Sequence, residues 1–569
     1  MAVFCTATPA NADNPIVQTI YTADPAPLVH DGRVYLYTGH DEDGSTYFTM
    51  NDWHVFSSAD MVNWNHHGSP LSLATFSWAD QNAWAGHVIE RNGKFYWYVP
   101  VRQRSNGQMV IGVAVADSPT GPFRDALGRP LVGNSEIDPH AFIDDNGQAY
   151  LYWGNPNLWY VRLNADMISF SGSPTQIPLT TAGFGTRTGH ATRTTLYEEG
   201  PWVYKRNGLY YNVFAAECCS EFIGYSTATG PTGPWTYRGT VMPRQGSSFT
   251  NHPGIIDFAG GSYFFYHNGA LPGGGGYTRS VAVEKFSYNT NGTIPTMNMT
   301  TTGAPQVGTL NPFVRQEAET IAWSSGIETE PAGEGTLNVG WIENGDYIKV
   351  KGVAFGSGAT SFTTRVASGS SGGNIEVRLG GPTGTQVGSC GVPGTGGWQT
   401  WTTVSCPVTG ASGTHDLYLR FTGGSGYLLN ADWWQFSAGG NPPPTTAPPT
   451  TAPPTTAPPT TAPPPTPGSS CTATVSVPAS WQGGYEGRLT VTNATTATTN
   501  GWRVTFTLPA GQTVSQGWSG TFSQQGNQVT VTNASYNGQL SAGSSTTAGF
   551  IASTSGGSQP PTSVTCTAS

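Results

Sequence analysis

Asp24, Asp138 and Glu199 each stand beside a proline or glycine at the head of a short apolar segment: Asp24-Pro25, Asp138-Pro139 and Glu199-Gly200. Trp84 and His252 head two more such segments, so the five leading residues follow one another at 60, 54, 61 and 53 positions. Acids on a surface usually scatter. Three acids brought to one place repel, and their proton affinities must spread apart. An ionised carboxylate facing a protonated carboxylic acid is what acetal hydrolysis with inversion requires. The carboxylate takes a proton from water on one face, and the acid protonates the leaving oxygen on the other. The two stand about 6.5–9.5 Å apart to admit that water. A third acid beside the proton donor can raise its pKa and orient it.

Each of these residues also has an ordinary structural role open to it. Asp-Pro starts turns, so Asp24 or Asp138 alone would be a turn residue. Asp144 and Asp145 precede Asn146-Gly147 and read as a hairpin turn. Glu198 adjoins Glu199, and strand alternation is expected to send it to the opposite face. A lone His252 fits a hydrogen-bonded core residue, and Trp84 fits core packing as well as a sugar platform. The shared register decides for the functional reading.

That register belongs to a repeat. Each leading residue begins a short strand, a tight turn and a Tyr-rich strand, as in AWAGHVIERNGKFYWY from Ala83 and EGPWVYKRNGLYYNVF from Glu199, and a further strand follows. A period near 55 residues with three or four strands per unit marks a β-propeller. Five repeats predict five blades over residues 13–305. First strands line a propeller's channel, so the five leading residues are expected to converge at one funnel mouth.

The motifs TADPAP, EIDPHAF and EEGPWVYKRNG occur in this order, and residues 13–305 resemble glycoside hydrolase family 43. The resemblance implies that Asp24 is the general base, Asp138 the pKa modulator and Glu199 the general acid. It also implies that His252, in NHPGII, faces a calcium ion on the propeller axis, and that Arg279, in YTRSVAVE, lies near the bound sugar. Trp84 is expected to form part of the sugar platform. The loop GHDEDGSTYFTMND (39–52) resembles the arabinoxylan arabinofuranohydrolase branch, which implies an α-L-arabinofuranosidase acting on arabinoxylan. A β-1,4-xylosidase uses the same three acids and is the alternative. A non-catalytic polysaccharide-binding propeller is a third reading, against which the presence of all three acids argues. No Gly-x-Ser-x-Gly elbow occurs in the propeller region, which disfavours a serine nucleophile.

The rest of the chain supports a protein built to meet neutral polysaccharide. It has 569 residues, 75 Gly, 43 Pro and 18 Trp, but only 10% charged residues, which suits turn-rich β-structure. The net charge of −10 gives no electrostatic footprint for nucleic acid. No stretch approaches the roughly 20 apolar residues that span a bilayer, so a membrane is not an expected partner. Residues 1–12 end in Ala10-Asn11-Ala12 and read as the remnant of a signal peptide. Cys390 with Cys406, and Cys471 with Cys566, are placed as disulfides, which implies an oxidising, extracellular setting. Adjacent Cys218 and Cys219 fit either a vicinal bridge or two buried thiols, and Cys5 is left over.

Residues 441–470 are a Pro/Thr linker, extended in the polyproline manner. Before it, residues 313–438 carry RQEAET, NVGWIENGDYIKV, GGWQTW, GTHDLYLRF and GYLLNADWWQF and resemble a family 6 carbohydrate-binding module, a β-sandwich. The resemblance implies that Trp341 and Trp398 sandwich a sugar and Asn430 hydrogen-bonds it. It further implies that Glu317, Glu319 and Asp432 hold a structural calcium. One of Trp433 and Trp434 should be core. After the linker, residues 471–569 resemble a family 2 carbohydrate-binding module, also a β-sandwich, through CTATVSVPASWQGGYEGRLTVTN, NGWRVTFTLP, GWSGTFSQ and TNASYNGQLSAGSS. Trp481, Trp518 and Tyr536 take the positions of its binding aromatics, and Trp502 should be core. Gly484 leaves those rings flat, which matches cellulose. The two modules together are thus expected to bind cellulose and xylan.

Overall fold

A computed structural model of the chain describes residues 13–438 and 471–568, apart from 334–335, 482–483, 496, 519, 535–536, 542–543 and 555–560. The signal-peptide reading, Cys5 and the linker lie outside the described residues.

Residues 22–286 form five antiparallel sheets in sequence order, and the chain is nearly all β. The strands at the five leading residues are Thr22–His30, His87–Arg91, His140–Ile143, Tyr197–Arg206 and Gly254–Phe258, and the second sheet also holds the earlier short strand Ala79–Gln81. Thr22–His30 touches both His87–Arg91 and Gly254–Phe258, and His140–Ile143 touches both of its neighbours in the ring. The turn chemistry follows from sequence. Asn92-Gly93 and Asn207-Gly208 both take positive φ, the two-residue turn whose twist matches antiparallel strands, so Arg91 pairs with Lys94 and Arg206 with Leu209.

Between sheets the Tyr-rich second strands interdigitate. Tyr96, Tyr98, Leu151 and Trp153 pack together, as do Tyr150, Tyr152, Val203 and Phe214. Each such buried side chain contributes roughly 1.5–3 kcal/mol. The ring is closed by the N-terminal segment: Ile16 N–H donates to Val281 O, and the Asn14 amide bonds Glu284 and the Val283 backbone.

Residues 316–438 form a sandwich of a six-stranded and a five-stranded sheet around one apolar core. Cys390–Cys406 links the edge strands Thr385–Pro393 and Gly397–Pro407 of the two sheets. This module shares the first propeller sheet, since Thr320–Ile321 pairs with Trp64–His66. Residues 471–568 form a second sandwich of two four-stranded sheets, with Cys471–Cys566 tying its first and last strands. It lies in a separate compact unit. Trp434 and Trp502 are core, whereas Trp433 is half-exposed under Arg315.

Candidate active site

The three acids Asp24, Asp138 and Glu199 are aimed by breaks in regular strand geometry. Asp24 and Asp138 adopt φ of 53° and 59°, in the left-handed region that Asp tolerates better than most residues. The pairing of Thr22–His30 shifts register between Ala23 and Ala26, and that of Tyr197–Arg206 shifts on both sides of Glu199, where Gly200 takes φ 60°. Such bulges re-aim side chains beside active sites. As a result Asp24, Asp138 and Glu199 line one pocket of about 340 Å³, together with Trp84, His252 and Arg279. The sequence-predicted propeller residues thus come together.

The bulge also overturns one expectation. Glu198 does not face away; it lines the same pocket, because alternation fails where the register shifts. Its carboxylate is nonetheless committed. Arg187 lies 3.0 Å away, Arg193 makes a second ion pair, and the Cys218 N–H donates to it at 3.1 Å. Glu199 is left with one neutral partner, the Asn155 amide.

Three proton affinities separate accordingly. Burial pushes Asp24 up to about 6, held from rising further by Arg279, with Asp41 acting upward. Burial, aided by Asp24 and Glu198, pushes Glu199 up to about 8, against Arg279 and Arg193. Asp138 is raised well above the carboxylate range by burial and by Glu199, while the Gly200 N–H at 3.2 Å acts the other way. Near neutral pH this leaves Asp24 ionised and at least one proton shared by the Asp138–Glu199 pair.

Arg279 has its guanidinium already engaged. It forms a bidentate pair with buried Asp41 at 2.8 and 2.9 Å and donates to Asp24 Oδ1 at 3.1 Å. Besides Asp41 it therefore serves Asp24, whose proton affinity it lowers and whose carboxylate it orients. Asp41 was not singled out from sequence, although it lies in the loop 39–52. His267 was also missed; it accepts the Asp24 N–H at 3.2 Å and reaches Thr250. Glu221 is a further buried acid, raised by burial and Glu199, with one oxygen receiving the Asn251 N–H.

Aromatic walls surround the acids. Trp84 is half-buried, lines the pocket and donates its indole N–H to Phe48 O at 3.0 Å. Phe48 meets Trp84, Phe249 and Tyr277 edge to face at 6.2, 5.9 and 4.9 Å. Tyr47 and Phe48 come from the loop between Arg33–His40 and Asp52–Ser58. Cys218 and Cys219 also line the pocket, with their sulfurs brought together as in the vicinal-bridge reading. His252 is half-buried, with Nδ1 3.9 Å from Asp24 Oδ1.

On the first sandwich, Trp341 and Trp398 are among the most exposed large apolar residues, 48% and 39%, joined by Tyr427 at 45%. Tyr427 meets Trp341 edge to face at 5.3 Å and was not foreseen. Asn430 is buried, and its amide nitrogen donates to Glu330 at 2.6 Å and to Trp398 O at 3.0 Å. It thereby ties down the backbone that carries Trp398. Glu319 Oε2 and Asp432 Oδ1 are buried without hydrogen-bond partners among the described residues. Burial beside Glu317 and Asp432 pushes Glu319 up to about 9. The other Asp432 oxygen is ion-paired with Arg365 at 2.7 Å and Glu317 with Arg315 at 2.8 Å, so Glu319 Oε2 and Asp432 Oδ1 are the oxygens open to a hard dication.

On the second sandwich, Trp481 ends the strand Cys471–Trp481 opposite Gly484, and Trp518 ends Gln512–Trp518. Their side chains, and Tyr536, lie outside the described residues.

Comparison with known proteins places this geometry. The family model described as glycosyl hydrolases family 43 matches residues 12–294. Carbohydrate binding module family 6 matches 317–438, and a cellulose binding domain matches 471–569. An arabinoxylan arabinofuranohydrolase of Paenibacillus polymyxa is 37% identical over 504 residues, 76% of each chain. One of Bacillus subtilis is 36% identical over 74% of this chain and 92% of its own. The crystal structure of a glycoside hydrolase family 43 arabinoxylan arabinofuranohydrolase from Bacillus subtilis, in complex with cellotetraose, superposes with a TM-score of 0.65. It is 33% identical and covers 75% of this chain and 99% of that one.

Proposed function

The chain belongs to glycosyl hydrolase family 43, and from that premise we propose that it releases L-arabinofuranose from arabinoxylan with inversion of configuration. The observation that carries this reading is the pair of unlike acids in one aromatic pocket: Asp24 near 6 beside Arg279, and Glu199 near 8. Asp24, ionised, takes a proton from the attacking water. Glu199, protonated, gives its proton to the leaving xylose oxygen. Asp138, bonded to the Gly200 N–H beside Glu199, helps hold that proton in place. Trp84 and Phe48 supply apolar faces to the sugar, and the pocket's size suits a terminal residue rather than a long chain threaded through it.

The test is digestion of arabinoxylan followed by proton NMR as product appears. Arabinose whose first-formed anomer is inverted is the expected result. Free xylose as the sole product would give the site to a β-1,4-xylosidase instead, and a retained anomer would remove Asp24 from the role of base.

Two finer readings accompany this one. Glu317, Glu319 and Asp432 would hold calcium, which would supply charge neutralisation to the sandwich. His252, whose ring lies beside Asp24, would be the protein ligand of an ion on the axis. The sign of the calcium effect on stability follows from Glu319. Without the ion its raised pKa contributes stability in full below about 4.5, and that contribution is lost as pH rises toward 9. Calcium binds the ionised acids, so its stabilisation grows over the same range. Adding a chelator should lower the calorimetric unfolding temperature by several degrees at pH 8 and hardly at all at pH 5. Glu319→Gln should erase the difference, and a chelator effect equal at both pH values would count against these ligands. Secretion is the second reading, supported by three disulfides, which persist in oxidising compartments.

A further inference from the structure

Outside the pocket, the first propeller sheet carries a second constellation of chemistry-bearing side chains. His40 ends the strand Arg33–His40, and Asp52 begins the strand Asp52–Ser58, with His54 two residues further on. Residues two apart on a strand face the same side. The pairing Thr38↔His54 and Gly39↔Trp53 brings the end of one strand against the start of the other.

His40 Nδ1 lies 2.9 Å from Asp52 Oδ1, and His54 Nε2 lies 3.3 Å from Asp52 Oδ2. The His54 nitrogen is buried and has no well-aligned hydrogen bond. One ligand atom from each of the three residues lies within 4.8 Å of the others. A tetrahedral ion with arms of about 2.0–2.1 Å sets its ligands about 3.3 Å apart, which these spacings approach with small side-chain rotations.

The outer shell is also in place. His54 Nδ1 is hydrogen-bonded to His66 Nε2 at 2.8 Å, and His66 Nδ1 continues to Thr329 Oγ1 of the neighbouring sandwich at 2.9 Å. A metal-bound imidazole is normally fixed in this way through its second nitrogen. His66 is itself stacked on Phe56 at 4.4 Å. The side chains of His40, Asp52 and His54 keep 19%, 24% and 12% exposure, so an ion can enter from solvent.

We propose that His40, Asp52 and His54 form a binding site for a borderline divalent ion of the zinc type, with water completing its shell. Two imidazoles and one carboxylate select such an ion over calcium, which prefers oxygen. The site's position gives it a consequence. His40 and Asp52 are the two feet of the segment 41–51, which delivers Asp41 to Arg279 and Tyr47 and Phe48 to the pocket. An ion bridging the feet staples that segment.

The experiment uses the full chain without an affinity tag, stripped with a chelator and then resupplied with calcium. Cobalt(II) is titrated as the visible probe, followed by zinc in competition. The expected result is a single cobalt spectrum of imidazole-ligated character, displaced by one equivalent of zinc, with affinity reduced about a hundredfold in His40→Gln and in His54→Ala. Zinc should also raise the unfolding temperature of the parent chain and not of the variants. Absence of any cobalt spectrum, or zinc retained equally by both variants, overturns the proposal. Should either variant fail to fold, zinc-edge X-ray absorption of the parent chain decides. A shell containing two imidazoles supports the site, and an all-oxygen or sulfur-containing shell overturns it.

Discussion

Glu199→Gln should lower turnover of arabinoxylan by 10²-fold to 10⁴-fold while leaving the fold intact, because a positioned proton donor contributes about that much. The loss should depend on the leaving group. An aryl arabinofuranoside, whose leaving oxygen departs without a proton, should be cleaved by the variant at close to the parental rate. Asp24→Asn should lose activity on both substrates, since water activation is needed whatever departs. Asn is the better choice here than Ala, because position 24 has φ 53° and Asn tolerates that region. Asp138→Asn, at φ 59°, is expected to fall on the natural substrate as well.

The pH profile gives an independent reading of the same assignment. Asp24 must be ionised, so the rate climbs as pH rises through about 6. Glu199 must be protonated, so the rate falls as pH rises through about 8. The parent should show a bell between these limbs, and Glu199→Gln should lose the alkaline limb on the aryl substrate. A Glu199→Gln enzyme with normal activity on arabinoxylan would move the acid role to Glu198. The ion pairs of Glu198 with Arg187 and Arg193 argue against that outcome, since they already engage both of its carboxylate oxygens.

Removal of residues 441–569 should abolish binding to insoluble cellulose and leave hydrolysis of soluble arabinoxylan nearly unchanged. The second sandwich has its own core and disulfide and is a compact unit by itself. A strip of stacked aromatics meets many glucose rings at once, and each ring lost should cost a few kcal/mol by analogy with other aromatic hot spots. Pull-down with crystalline cellulose measures the first part and reducing-sugar release the second. A truncated chain that still sediments with cellulose would shift that role to Trp341, Trp398 and Tyr427 of the first sandwich. A truncated chain slow on soluble substrate would mean that the two units do not act separately.

Much of this protein was legible along the chain because its information is periodic and local. The period near 55 residues places Asp24, Trp84, Asp138, Glu199 and His252 at equivalent points of successive sheets. Asn-Gly turns set hairpin registers within a few residues of themselves. Cysteine placement matched the Cys390–Cys406 and Cys471–Cys566 bridges, and the binding modules carried enough motif along their length to be recognised. What only the tertiary structure decided is long-range or depends on broken regularity. Glu198 was expected to point away because alternation was assumed, and the register shifts at 197–202 are invisible to a rule built on regular strands. Asp41 and Arg279 are 238 positions apart, and Arg279 reaches Asp24 across 255, so no spacing in the sequence announces that triad. The separation of Asp24 from Glu199 in proton affinity likewise belongs to the folded pocket. Burial raises both, and the placement of a guanidinium against Asp24, with a neutral amide and other carboxylates beside Glu199, holds the first near 6 and leaves the second near 8.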